Sequence, residues 1–296
     1  MPKLARPARG SPDVQHFYHQ PTGTLSYVVS DPETSLAAVV DPVLGFSVVS
    51  GRTDLAPAQE IIDYVKARDL NLGWILETHA HADHLSSAQS IKAHLGGKVA
   101  IGNGIRKVQA TFGDIFNLKA PFAADGRQFD RLFADGESFT LGSIDCKVLN
   151  TPGHTSDSVT YLIGDCAFVG DSLFMPDFGT ARCDFPGGDA AFLYDSIQKL
   201  FALPADTKLH VCHDYPPEAR PLRYEVSVAE QKESNIHVKN GMTKADFVAL
   251  RRKRDATLSL PALILPAIQI NIRAGHLPES EDNNVSYIKI PLDTTL

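Results

Sequence analysis

Two apolar rhythms alternate along this chain: short runs bounded by glycine, proline or aspartate, and longer stretches with apolar side chains every three or four residues. The first rhythm predicts paired strands over residues 23–30 and 35–42, joined by the turn Asp31-Pro32-Glu33-Thr34. A helix is expected from 56 to about 67, with Pro57 in its first turn and Ile61, Ile62 and Val65 as its apolar stripe. A buried strand ending in Trp74-Ile75-Leu76 follows, then a helix over 86–95 that stops at Gly96-Gly97, a strand over 99–101 and a helix over 105–112. From residue 131 the texture changes to strands punctuated by glycine, over 133–136, 139–142, 146–149, 159–163 and 167–171. A helix over 190–201 and a strand over 209–215 come next. Thr243 with Asp246 three residues on opens a further helix that runs into Arg251-Arg252-Lys253-Arg254, a run that reads as a solvated, dipole-compatible helix end or, instead, as an anion-binding group. Two rounds of strands followed by helices predict an α/β fold in which two packed sheets carry helices on their outer faces, an αββα sandwich.

With 296 residues the chain is long enough to bury a core without disulfides. Residues 1–14, basic and proline-rich, read as a flexible tail, 15–235 as the main domain and 236–296 as a C-terminal extension packed on it. A net charge of −7 provides no basic field, which argues against nucleic acid and anionic membrane as partners. The apolar run 258–272 is interrupted by Pro261, Pro266, Gln269 and Asn271 and falls short of the about 20 residues that span a bilayer. It is expected to be core or a subunit contact, so a homodimer is permitted. Cys146, Cys166, Cys183 and Cys212 form no CxxC pair, a usage that points to a reducing, cytoplasmic setting.

The candidate chemistry lies where the Trp74 strand ends. Thr78-His79-Ala80-His81-Ala82-Asp83-His84 packs three imidazoles and a carboxylate into six positions, and in an extended segment His79, His81 and Asp83 would project to the same side. Imidazole and carboxylate without thiolate suit zinc, iron, manganese or nickel in an open site rather than a structural zinc knuckle. Three further candidates end later strands: His154 in TPGHT, Asp171 in VGDS and His213 in CHDY.

This series, THAHADH, TPGHT, GDS and HDY, resembles the metallo-β-lactamase superfamily over about residues 25–215. The resemblance implies a metallo-β-lactamase sandwich with His79, His81 and His154 at one metal position. Asp83, His84 and His213 would form a second, with Asp171 between the two. The segment Arg182-Cys183-Asp184-Phe185 is similar to the Arg-x-Asp-Phe of the persulfide (sulfur) dioxygenase branch, and Leu85-Ser86-Ser87 replaces the Gly-Gly that glyoxalase II has after its Asp-His.

That branch implies one Fe(II) per chain on His79, His154 and Asp171, with open positions for glutathione persulfide and O2, and sulfite and glutathione as products. His81, Asp83, His84 and His213 would then orient the ligands, or hold a second ion. Asp83 and His84 are assigned to the catalytic surroundings together with Tyr215, whose hydroxyl would lie near the sulfur. Arg182 and Thr155, again with Tyr215, are the candidates for holding glutathione, Arg182 through a two-fold contact with a carboxylate or, instead, as the ion-pair partner of Asp184. Cys183 is a candidate persulfide carrier or an inert buried thiol. The competing activity is a binuclear Zn(II) hydrolase of a glutathione thioester, with two zinc ions per chain. A metal-bearing sensor without turnover and an RNA nuclease stand further off.

Overall fold

The computed structural model describes residues 10–218 and 220–293. Its first half runs β1 (Asp13–His19), β2 (Thr24–Ser30), β3 (Leu36–Val40), β4 (Val43–Ser47), β5 (Arg52–Asp54), α1 (Ala56–Ala67) and β6 (Asn71–Leu76). It continues through β7 (Leu85–Ser86), α2 (Ala88–Leu95), β8 (Lys98–Gly102), α3 (Ile105–Ile115) and β9 (Arg131–Phe133). The second half runs β10 (Ser138–Leu141), β11 (Ile144–Asn150), β12 (Val159–Ile163), β13 (Cys166–Phe168), α4 (Ala190–Phe201), β14 (Lys208–His210) and β15 (Glu225–Ser227). Helices α5 (Val228–Ser234), α6 (Lys244–Asp255) and α7 (Ile264–Asn271) close the chain.

The first sheet has the order β1-β2-β3-β6-β8-β9, antiparallel across its first three strands and parallel from β3 to β9. The second, β10-β11-β12-β13-β14-β15, is antiparallel except where β13 meets β14. Period-two alternation assigns each residue of the first sheet to a layer. Leu25, Tyr27 and Val29 of β2 and Ala38 and Val40 of β3 face the second sheet and pack with Ile144, Val148 and Tyr161. Val28, Ala37 and Val39 face the other way and meet Ile61, Ile62 and Val65 of α1, Ile91 of α2 and Val108 of α3. Two mixed sheets with outer helices are thus the expected sandwich.

Several boundaries move. Of the expected tail, residues 1–9 lie outside the described residues, while Asp13 and Val14 already pair with Ser30 and Val29. The helix expected from 86 begins at Ala88, because Ser86 is drawn into β7 opposite Val43. The strand expected over 209–215 stops at His210. Beyond it the chain crosses to the first sheet, where the Leu25 amide donates to the Cys212 carbonyl and Thr24 bridges His213. The apolar run 258–272 yields α7, whose Ile264, Ile268 and Ile270 are buried in the core, whereas Leu258 and Leu260 are exposed. The four cysteines are free and buried, and no helix among the described residues is long and apolar enough to cross a membrane.

At the end of β14, His210 is buried with neither ring nitrogen hydrogen-bonded, lying flat on Phe168 at 4.8 Å, with Glu225 Oε2 3.8 Å from its Nε2. Burial, with Lys208 as the lesser cause, pushes its pKa down to about 3. The unfolded chain therefore binds this proton between about pH 6.5 and 3 while the folded chain does not, so its contribution is lost as pH falls through that window. Denaturant melts between pH 7 and pH 4 should show His210→Phe losing less stability than the parent, the difference approaching about 1.4 kcal/mol per pH unit. Equal slopes would mean that His210 does not titrate this way.

Candidate metal centre

Four loops supply the site: residues 77–84 after β6, the TPGHT turn after β11, the short 3-10 turn Gly170–Ser172 after β13, and the segment after β14. Their close approach depends on glycine at two points. A Cβ on Gly153 (φ +146°) would stand 2.3 Å from the backbone of Leu193 in α4, and one on Gly170 (φ +51°) 2.7 Å from Thr78 Oγ1.

The 77–84 segment is an irregular loop rather than the extended strand expected. His81 is not alternated with His79 on one face. Its ring lies between those of His79 and His84, at centroid distances of 3.9 and 4.1 Å. The loop's amides explain the shape: Thr78 N–H donates to Asp41 Oδ1 at 2.7 Å and Ala80 N–H to Asp157 Oδ2 at 2.9 Å. From the C-terminal extension, Asn271 Nδ2 donates to the carbonyls of His81 and His84, both at 2.8 Å, and its Oδ1 accepts from Ser86 N–H. Sequence reasoning missed Asp41, Asp157 and Asn271. The one available signal was polarity at buried positions, an aspartate closing an apolar strand and an asparagine inside an apolar run.

These partners set the histidine tautomers. Thr78 has one hydroxyl proton, which goes to Asp41 Oδ2 at 2.8 Å, so its oxygen accepts from His79 Nδ1–H at 3.0 Å and leaves Nε2 bare. His81 faces Asp41 Oδ1 through Nε2 at 3.0 Å, leaving Nδ1. His154 Nδ1–H donates to the Arg182 carbonyl at 2.7 Å and His84 Nδ1–H to the Leu85 carbonyl at 3.3 Å, leaving both Nε2 atoms. His79 Nε2, His81 Nδ1, His84 Nε2, Asp83 Oδ2, Asp171 Oδ1 and His213 Nε2 are all buried without a hydrogen-bond partner. His213 Nε2 lies 3.2 Å from Asp83 Oδ2 and 3.4 Å from Asp171 Oδ1, and His154 Nε2 3.5 Å from Asp171 Oδ2. Bare imidazole nitrogens and carboxylate oxygens converging in a buried space have the chemistry of a metal site.

Charge in the cluster agrees. Burial, then the neighbouring His81, drives His79 well below its ordinary pKa and His84 down to about 3. Burial also opposes a charge on His81, yet Asp41 and Glu77 push it up to about 10, while burial and Asp41 raise Glu77 to about 7. Against its own burial, Asp83 is held down to about 2 by His213 first, then His84. The anionic surroundings favour a cation, as proton or as metal. Among the described residues, donor sets closing within 4.8 Å include His79, His154 and Asp171, and also Asp171, Cys212 and His213. Asp83, His84 and His213 do not form such a set.

Above the cluster opens a cavity of about 260 Å3 walled by Phe174, Phe178, Phe185, Leu258 and Pro261. Tyr215 lines it, 42% exposed and stacked on His213 at 5.8 Å. Arg182 lines it too, but its guanidinium is already committed to both carboxylate oxygens of Asp184, at 2.6 and 2.7 Å, and to the Ser259 carbonyl. Thr155 lies outside the lining and bonds to the Ser158 hydroxyl at 2.6 Å. Cys183 is buried outside it, and burial pushes its thiol far up, which leaves no reactive thiolate.

The family model described as metallo-beta-lactamase superfamily matches residues 19–213. The chain is 49% identical to glyoxylase B2 of Dictyostelium discoideum, over 95% of this chain and 97% of that protein. It is 27% identical to the mitochondrial persulfide dioxygenase ETHE1 of Homo sapiens, over 91% of this chain and 92% of that one. The crystal structure of ETHE1 from Myxococcus xanthus superposes with a TM-score of 0.71 at 28% identity, covering 89% of this chain and all of that one.

Two substitutions test how the loop is held. Thr78→Val keeps the shape but removes the acceptor for His79 Nδ1–H, and metal affinity in competition with a chelator should fall about 10–100-fold. Asn271→Leu leaves two carbonyls and an amide unpaired, and denaturant melts should show a loss of more than about 2 kcal/mol together with weaker metal retention.

Proposed function

Since this chain belongs to the metallo-beta-lactamase superfamily, we propose that it is an Fe(II)-dependent persulfide dioxygenase acting on glutathione persulfide. The supporting observation is the set His79 Nε2, His154 Nε2 and Asp171 carboxylate, two imidazoles and one carboxylate closing within 4.8 Å at the floor of the cavity. Fe(II) held there would supply adjoining open positions for a persulfide and O2. The human relative, at 27% identity, is named a persulfide dioxygenase. In balance, glutathione persulfide, O2 and water yield glutathione, hydrogen sulfite and a proton, with O2 taking four electrons from the outer sulfur.

The protein's own part is placement. Thr78 and the Arg182 carbonyl fix the rings of His79 and His154, so the donor geometry exists before substrate arrives. Phe174, Phe178 and Phe185 exclude water from the sulfur, and stacking on His213 holds the Tyr215 ring beside the same space. Asp83 and His213, 3.2 Å apart beside Asp171, place an anion and an imidazole where protons must move as water is consumed.

A binuclear zinc hydrolase of a glutathione thioester is the second reading. It is favoured by the bare atoms Asp83 Oδ2, His84 Nε2 and His213 Nε2 and by the name of the Dictyostelium relative. Of the two sets expected from the motif, His79, His154 and Asp171 close within 4.8 Å among the described residues and Asp83, His84 and His213 do not, which supports a single ion at the first position.

Elemental analysis of anaerobically purified protein should find about one iron per chain. Oxygen-electrode assays with glutathione persulfide should give sulfite in step with O2, and Asp171→Ala should lose the iron and more than roughly a hundredfold in rate. Two zincs per chain with thioester hydrolysis and no O2 uptake would establish the hydrolase instead.

A further inference from the structure

Three arginines line the cavity above the metal cluster, Arg182, Arg251 and Arg254. Two are spent on the fold. Arg182 is bound to Asp184 and the Ser259 carbonyl. Arg251 is buried, and its guanidinium pairs with Asp255 and donates to the Thr180 carbonyl at 3.1 Å. Arg254, exposed at the C-terminal end of α6, has no ion pair or side-chain hydrogen bond among the described residues. The two paired arginines cancel against Asp184 and Asp255, so the mouth of the cavity carries one uncompensated positive charge on a chain whose net charge is −7.

The opposite end has the other polarity. Among the described residues, Asp83 and Asp171 are the acidic members of the lining, and both belong to the metal cluster at the floor. Phe174, Phe178, Phe185, Leu258 and Pro261 give the wall its apolar stretches. A ligand bearing both a soft sulfur and a carboxylate has one favourable orientation here. Its carboxylate is attracted to the guanidinium at the mouth, and its sulfur, a soft donor, is left to face the metal ligands at the floor.

We propose that Arg254 is the carboxylate anchor of the substrate site, meeting one of the two carboxylates of glutathione and thereby selecting carboxylate-bearing thiol persulfides over neutral ones. Arg182, the residue singled out by sequence, serves instead to brace the cavity wall. The name of the thiol rests on the dioxygenase reading above, whereas the anchoring of a carboxylate does not. A planar guanidinium meets a carboxylate through two parallel hydrogen bonds, which lysine cannot reproduce. At an exposed position the contact should be worth about a tenfold change in affinity, the lower end for hydrogen bonds to charged groups.

The test compares Arg254→Gln, Arg254→Lys and, as a neighbouring control outside the lining, Arg252→Gln. Calorimetric binding of S-methylglutathione and of its diethyl ester is measured alongside O2 uptake with glutathione persulfide. Arg254→Gln should weaken S-methylglutathione binding about tenfold and raise KM by a similar factor, with the loss carried by KM rather than kcat. Arg254→Lys should recover part of it, and Arg252→Gln should behave as the parent. The diester should bind the parent about tenfold more weakly and be indifferent to Arg254→Gln. Unchanged binding of S-methylglutathione in Arg254→Gln, or equal affinity of acid and ester for the parent, would overturn the proposal, as would failure of the parent to bind S-methylglutathione. Arg254-dependent binding in a protein that consumes no O2 would sustain the anchor and refute the dioxygenase.

Discussion

The carboxylate of Asp41 is the constraint on which the site depends. It is buried between the sheets, accepts from the Thr78 amide and hydroxyl, and faces His81 Nε2. Through these bonds one side chain sets the tautomers of two histidines, directly for His81 and through Thr78 for His79. It also ties the end of β3 to the loop leaving β6, its neighbour in the sheet. Asp41 pays for this with a left-handed backbone (φ +47°), uncommon for a residue with a Cβ and tolerated best by aspartate and asparagine. Remove it, and the His81 Nε2–H and the Thr78 amide and hydroxyl lose their acceptor inside a low-dielectric core.

The C-terminal extension belongs to the same machinery. Asn271 in α7 holds the carbonyls of the metal loop, the Asp255 carboxylate accepts from the Cys183 amide, and the Ser259 carbonyl binds Arg182. Leu258 and Pro261 complete the cavity wall. Residues far apart in sequence thus determine how the loop sits and what can approach it. A chain ending after β15 would keep every histidine of the motif and lose the groups that shape the space above them.

Polar groups at depth explain why the site has its geometry rather than the one extrapolated from strand periodicity. The sequence THAHADH invites an extended reading because apolar Trp74-Ile75-Leu76 precedes it. In the fold, each amide of the loop that leaves the sheet must find a partner, and Asp41 and Asp157 supply two of them. The loop follows its hydrogen-bond partners, and the close, tilted packing of the His79, His81 and His84 rings is the consequence.

Local sequence by itself determined the elements and their inventory of chemistry. Short apolar runs located β2 and β3, and the Ile61, Ile62 and Val65 stripe placed α1, because burial periodicity is a property of neighbouring residues. The residue types in THAHADH, TPGHT, GDS and CHDY likewise announced a metal site, since few structural uses call for so many imidazoles at strand ends. Tertiary structure alone decided which nitrogen of each histidine is bare and that Arg182 is engaged while Arg254 has no side-chain partner among the described residues. It also decided that Thr155 and Cys183 lie off the cavity. Those outcomes depend on partners such as Asn271, 190 residues from His81, and on Ser259, 77 from Arg182. A hydrogen bond is specified by where both of its ends come to rest, and no short window of sequence contains both.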